Sequence, residues 1–209
     1  TIIGNTLGTE HIAYAITLNG LAALYQQTER YFEALAFYRE TMAIRKKIFG
    51  IKHPSYATSL NNMATIHKFL NQFEKAKLMY LEAMGIIEKK FGKQHPQYAK
   101  SLRNLGIVLF NLKNYQQAKN YLLETKTIYT SIHSDNHPET IFTTAYLGNI
   151  CLEMNELVEA RAFLDEAIIK NINLSSLSGT IDKNWKEKLL SKQPVSYFHL
   201  LDNLYYLYK

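Results

Sequence analysis

Along this chain apolar residues recur at intervals of three and four, and the phase of that pattern restarts at regular distances. Tyr14, Leu18, Leu21, Ala22 and Tyr25 form one stripe, which predicts an amphipathic helix from about His11 to Gln27. Thr28 to Arg30 is polar and turn-like. Phe32, Leu35, Ala36, Tyr38, Met42 and Ile48 then mark a second helix from about Tyr31 to Phe49. A helix of roughly 18 residues runs about 27 Å. The same alternation places later second helices at Phe73 to Lys90 and Tyr115 to about Ile132.

The restart has a signature. His53-Pro54-Ser55-Tyr56-Ala57-Thr58-Ser59-Leu60 returns as His95-Pro96-Gln97-Tyr98-Ala99-Lys100-Ser101-Leu102, and in looser form from His11 and His137. Positions 11, 53, 95 and 137 stand at a constant interval of 42, which marks a stacked repeat array. Pro54, Pro96 and Pro138 occupy first helical turns, where proline is tolerated, so each histidine lies near an N-cap. Gly50 and Gly92 follow the second helices. Lys46-Lys47 and Lys89-Lys90 fall in last turns and are read as solvated helix ends.

Some columns admit only small side chains: Ala22, Ala64, Gly106 and Gly148 in first helices, and Ala34, Ala76, Ala118 and Ala160 in second helices. Large residues recur beside them, Leu21, Met63, Leu105 and Leu147, then Tyr38, Tyr80, Leu122 and Leu164. Neighbouring helices therefore approach closely at one height of every repeat.

Composition narrows the function. The 209 residues are 47% hydrophobic and 20% charged, an ordinary globular balance, and only four prolines favour long helices. A formal charge of +6 suits acidic partners. No block of five or six like charges points to nucleic acid, and no apolar run is long enough to enter and span a membrane. The single Cys151 cannot form an internal disulfide, fits a reducing, cytoplasmic setting, and stands in an apolar column as a buried thiol. Equivalent histidines of packed repeats would lie on the order of 10 Å apart, too far for shared zinc ligation at about 2 Å. No nucleophile elbow, phosphate-binding glycine loop or His-Glu-x-x-His pair occurs. The expectation is no enzyme, no metal and no cofactor.

Leu18-x-x-Leu21-Ala22-x-Leu24-Tyr25, followed by Ala34 and Tyr38, resembles the tetratricopeptide repeat. The 42-residue interval, the Phe-Gly-x-x-His-Pro junction and Ser59-Leu60-Asn61-Asn62 resemble the longer variety found in kinesin light chains. The resemblance implies an all-α fold, a right-handed superhelical α-solenoid of antiparallel helix pairs. The expected divisions are 1–8, the tail of a preceding repeat; repeats at 10–50, 53–92, 95–134 and 137–170; an insertion at 171–193; and the first helix of a further repeat at 194–209. The insertion holds a Ser/Gly-rich turn from Ser175 to Thr180 and a short segment with Ile181, Trp185 and Leu189. Both ends look cut from a larger protein.

In such a solenoid first helices line a concave wall, and their residues facing away from the packing columns are binding candidates. Asn19, Thr58, Asn61, Asn62, Thr65 and Lys68 come from the first two repeats. Lys100, Arg103, Asn104 and Ile107 come from the third, Phe142, Tyr146 and Asn149 from the fourth, and Asn203 from the further helix. The asparagines are not required by the packing columns, and a primary amide can grip a peptide backbone with both donor and acceptor. Lys100 and Arg103 are placed to pair with Asp or Glu. A clamp for a terminal carboxylate fits poorly, because Asn19 and Ala23 stand where the resemblance would require a Lys and an Asn. The expectation is a module binding an extended acidic or aromatic-acidic peptide segment of a protein partner. The alternative is a sensor array controlling an effector domain outside this chain.

Overall fold

The computed structural model describes residues 11–178, with side chains described to residue 171. Among the described residues eight α-helices follow one another: α1 Ile12–Gln27, α2 Tyr31–Phe49, α3 Pro54–Phe69, α4 Phe73–Phe91, α5 Pro96–Asn111, α6 Tyr115–Ile132, α7 Pro138–Glu153 and α8 Leu157–Ser178. No strand occurs among the described residues. Contacts resolve into two units, residues 1–121 and 122–209. In the first unit α1 packs on α2, α3 on α2 and α4, and α5 on both α4 and α3. In the second, α7 packs on α8. The tail expected at 1–8, the segment around Trp185 and the helix expected at 194–209 lie outside the described residues.

The histidines are the N-caps themselves. The backbone N–H groups of Ala13, Ser55, Gln97 and Glu139 donate to Nδ1 of His11, His53, His95 and His137 at 3.1, 3.1, 3.2 and 3.2 Å. Each satisfies one donor that the first turn leaves open. An accepting Nδ1 requires a neutral ring with its proton on Nε2. The prolines after His53, His95 and His137 fix the helical φ of the first turn.

The turn inside each helix pair is equally regular. Glu29, Asn71, Lys113 and Asn155 all take positive φ, between 56° and 60°. The next residue's N–H reaches back across the turn, from Arg30 to Tyr25 O, Gln72 to His67 O, Asn114 to Leu109 O and Glu156 to Cys151 O, at 2.8–2.9 Å. This is the hydrogen-bond pattern of a Schellman ending with a left-handed residue. Between pairs, Gly50 and Gly92 take φ of +79° with extended ψ, a conformation essentially reserved for glycine.

All eight small-column residues are buried. Their large partners are buried as well, except Leu21, which is half-buried. In the first unit Ala22, Ala34, Tyr38, Met63 and Ile66 form one cluster, and Ala15, Leu18 and Ile44 another. The expected stripe of α2 needs correction. Phe32 is 74% exposed, and Ala36 and Ile48 also face outward. The inward face is Ala34, Tyr38, Thr41 and Ile44. Thr41 is accepted inside because its hydroxyl donates to Ala15 O. The turn expected from Ser175 is corrected too, since α8 continues past Lys170 to Ser178.

Candidate functional site

In the first unit α1, α3 and α5 are joined by side-chain amides. Asn62 Nδ2 donates to Asn19 Oδ1 at 3.0 Å, tying α3 to α1, and Asn61 Nδ2 donates to Ser101 Oγ at 2.9 Å, tying α3 to α5. Asn61 and Asn104 are buried, as is Ile107. The expectation that packing makes no use of the asparagines is therefore overturned for Asn61 and Asn62. An amide enclosed between helices must find partners, and here it finds them in the neighbouring repeats. Asn61 Oδ1 is buried without a hydrogen bond.

Thr58 donates to Pro54 O, and Thr65 donates to Asn61 O while its oxygen also meets the Tyr80 hydroxyl at 2.8 Å. The sequence pattern assigns Tyr80 only to packing. It brings a polar atom to this face, and its burial pushes the phenol well above its ordinary value. A periodic pattern shows the ring's column and cannot show which hydroxyl lies opposite it.

Three cations stand on the same helices, Lys68 on α3 and Lys100 and Arg103 on α5. Burial, reinforced by the neighbouring Arg103 guanidinium, lowers the Lys68 ammonium to about 8. Burial and Arg103 shift Lys100 in the same direction. Lys100 keeps an exposed surface, so water screens it more and Lys68 carries the electrostatic argument. Lys68 lies 5.1 Å over the Phe69 ring, and among the described residues neither it nor Lys100 forms an ion pair with a carboxylate. The arrangement is a positive face on which Lys68 and Lys100 have no carboxylate partner among the described residues, with amides and hydroxyls beside it.

In the second unit the Phe142 and Tyr146 rings meet at a tilt, 4.9 Å between centroids at 56°. Asn149 is buried with an Oδ1 that makes no hydrogen bond. Asn203 lies outside the described residues. Cys151 is fully buried and donates to Glu159 Oε2 at 4.0 Å. With Glu156 these atoms lie within 4.8 Å of one another, a grouping that reasoning from the histidines alone did not anticipate. Among the described residues no helix is long and apolar enough to cross a membrane.

Paired helices, small-residue columns and a polar first-helix face define a helical repeat scaffold. The tetratricopeptide repeat profile matches residues 13–89, 79–129 and 97–168, and the chain belongs to that family of interaction scaffolds. Several solved structures share the fold. BtubC (BKLC) from P. vanneervenii is 23% identical with a TM-score of 0.70, over 81% of this chain and 66% of that one. A Podospora anserina putative kinesin light chain with nearly identical repeats is 20% identical with a TM-score of 0.68, over 84% and 82%. A Rap protein complexed with Competence and Sporulation Factor is 16% identical with a TM-score of 0.66, over 76% of this chain and 43% of that one. No curated protein matches the chain in sequence.

Proposed function

We propose that the first-helix face of the first unit binds an extended, acidic segment of a protein partner. The observation that carries this reading is the cation group Lys68, Lys100 and Arg103, in which the two lysines lack a carboxylate of their own among the described residues. Clustered cations raise one another's free energy, and an incoming carboxylate relieves that repulsion. Asn62 and Thr65 are the polar groups nearest in register to receive a peptide backbone, Asn62 by sharing or yielding its bond to Asn19. The Rap protein complexed with a factor supports the reading as an example of a ligand held on this fold.

A fluorescein-labelled peptide of alternating Asp, Glu and Trp is the probe. Micromolar affinity, roughly −8 kcal/mol, is expected. Lys100→Glu should weaken binding about tenfold, as should a rise in salt. The anion favours charged Lys68, so affinity should fall as pH rises through about 8. Equal binding by wild type and Lys100→Glu would sink this reading.

A further inference from the structure

The first-helix face leaves a second feature of the first unit unexplained, a hollow of about 420 Å³ beside the turn between α2 and α3. That size is within the range of ordinary binding pockets, about 300–1,000 Å³. Its floor is Leu81, Gly85 and Ile86 of α4, and its rim is Lys52 of the turn with Lys89 and Lys90 of the last turn of α4.

Gly85 is the informative residue. It sits inside a 19-residue helix, where glycine is less favourable than alanine. Nothing in the chain demands it, because a Cβ there would meet no atom within 4 Å. The equivalent places in the other second helices hold Ala43, Thr127 and Ile169. A glycine with open space over it, on an apolar floor, suits close approach by something outside the chain.

The rim states what that something must be. Lys52, Lys89 and Lys90 form no ion pair among the described residues. The carboxylate within the hollow, Glu82, adds to burial in raising the Tyr56 phenol above its ordinary value. Favourable placement at a helix C-terminus accounts for Lys89 and Lys90. It accounts for neither Lys52 nor Gly85.

We propose that this hollow is a second docking site, separate from the first-helix face, for an acidic amphipathic protein segment. One apolar side chain sits on Leu81, Gly85 and Ile86 while flanking carboxylates meet Lys52, Lys89 and Lys90. The absent Cβ lets the segment approach the backbone of α4.

The test uses the whole chain carrying Lys100→Glu, which weakens the first-helix face about tenfold, and a labelled peptide with Leu-Trp flanked on both sides by Asp and Glu. A Lys-flanked peptide is the control. Gly85→Leu puts a side chain into the hollow at a place where a Cβ meets no atom within 4 Å and raises helix propensity; retained folding is checked by a thermal melt. The acidic probe is expected to bind the Lys100→Glu chain, to lose at least tenfold on adding Gly85→Leu, and to lose as much on adding Lys89→Glu/Lys90→Glu. Absence of binding, unchanged binding by the Gly85→Leu chain, or equal binding of the control peptide would overturn the proposal. Failure of the first-helix reading appears elsewhere, in wild type against Lys100→Glu.

Discussion

After α2 and α4 the chain turns on Gly50 and Gly92, and Phe49 stacks on His53 at 4.5 Å as Phe91 stacks on His95 at 4.3 Å. After α6 the same junction has Ser134 at the glycine place and His133 at the phenylalanine place. Ser134 does not take a positive φ. His133 stacks on His137 at 4.1 Å, and a polar network surrounds the turn. Thr130 donates to Asp135 at 2.8 Å, Lys170 reaches Asp135 at 3.5 Å and Glu166 at 2.6 Å, and Lys126 reaches Glu166 at 2.7 Å. The small columns differ in parallel: the first two repeats pair alanines with Tyr38 and Tyr80, whereas the fourth pairs Gly148 with Leu164. One backbone plan thus tolerates two chemistries at its joints, provided that each joint supplies a cap, a stacked ring and a filled column.

The largest effect expected is at Gly148. A Cβ there would lie 2.5 Å from Leu164 Cγ and 3.3 Å from Ala160 O, and neither atom is the loose end of a side chain. Gly148→Ala should cost about 1–3 kcal/mol through overpacking, seen as faster amide exchange in α7 and α8. Adding Leu164→Val should restore part of the loss. If Gly148→Ala melts like wild type, the columns are not close-packed in the second unit.

Next comes the polar joint. Lys170→Met removes the ion pair to Asp135 and leaves Glu166 with Lys126 alone, and should cost about 1–2 kcal/mol. Burial raises the Glu166 carboxyl, but hydrogen bonds from Lys126 and Lys170 override it and hold it below its ordinary value. Asp135 is likewise held down, first by the hydrogen bond from Thr130 and then by Lys170. A depressed carboxyl stabilises the fold above its unfolded value, about 4, and loses that contribution as pH falls through the folded one. Acid should therefore open the α6–α7 joint, an effect that Lys170→Met should blunt; exchange measured between pH 3 and 6 would show it.

The caps come third. His53→Ala should cost about 1 kcal/mol, and His53→Asp almost nothing. Protonation of Nδ1 removes the acceptor. Burial and then His133 push the His137 ring down, so its contribution is complete above about 6.5 and declines as pH falls toward the lowered value. Equal melting of His53→Ala and wild type at pH 8 would remove the capping role. The smallest effect is a gain. Lys113 takes φ of 60° where the second unit has Asn155, so Lys113→Asn should stabilise by roughly 0.5–1 kcal/mol, read from a denaturant midpoint.

Helix order, caps and columns were legible because each is local or recurs at the 42-residue interval. The phase of α2 was not, since Phe32 and Ile48 are apolar yet exposed while buried Thr41 is polar. Lys68, Lys100 and Arg103 could be placed on first helices by counting. The bond from Asn62 to Asn19 could not, because it joins residues from different repeats whose separation is set by packing. Gly85 was visible as a mid-helix glycine, but its meaning required knowing that nothing stands over it.

The recurrence of the histidine caps has a consequence for ancestry. The backbone enters α3 at His53 with φ −86° and ψ 142°, and enters α5 at His95 with φ −100° and ψ 138°. A deletion of residues 53–94 would join Lys52 to His95 between conformations that already match, and a duplication would do the reverse. Recombination at these points changes the number of helix pairs in one step and hands each daughter chain a ready-made joint.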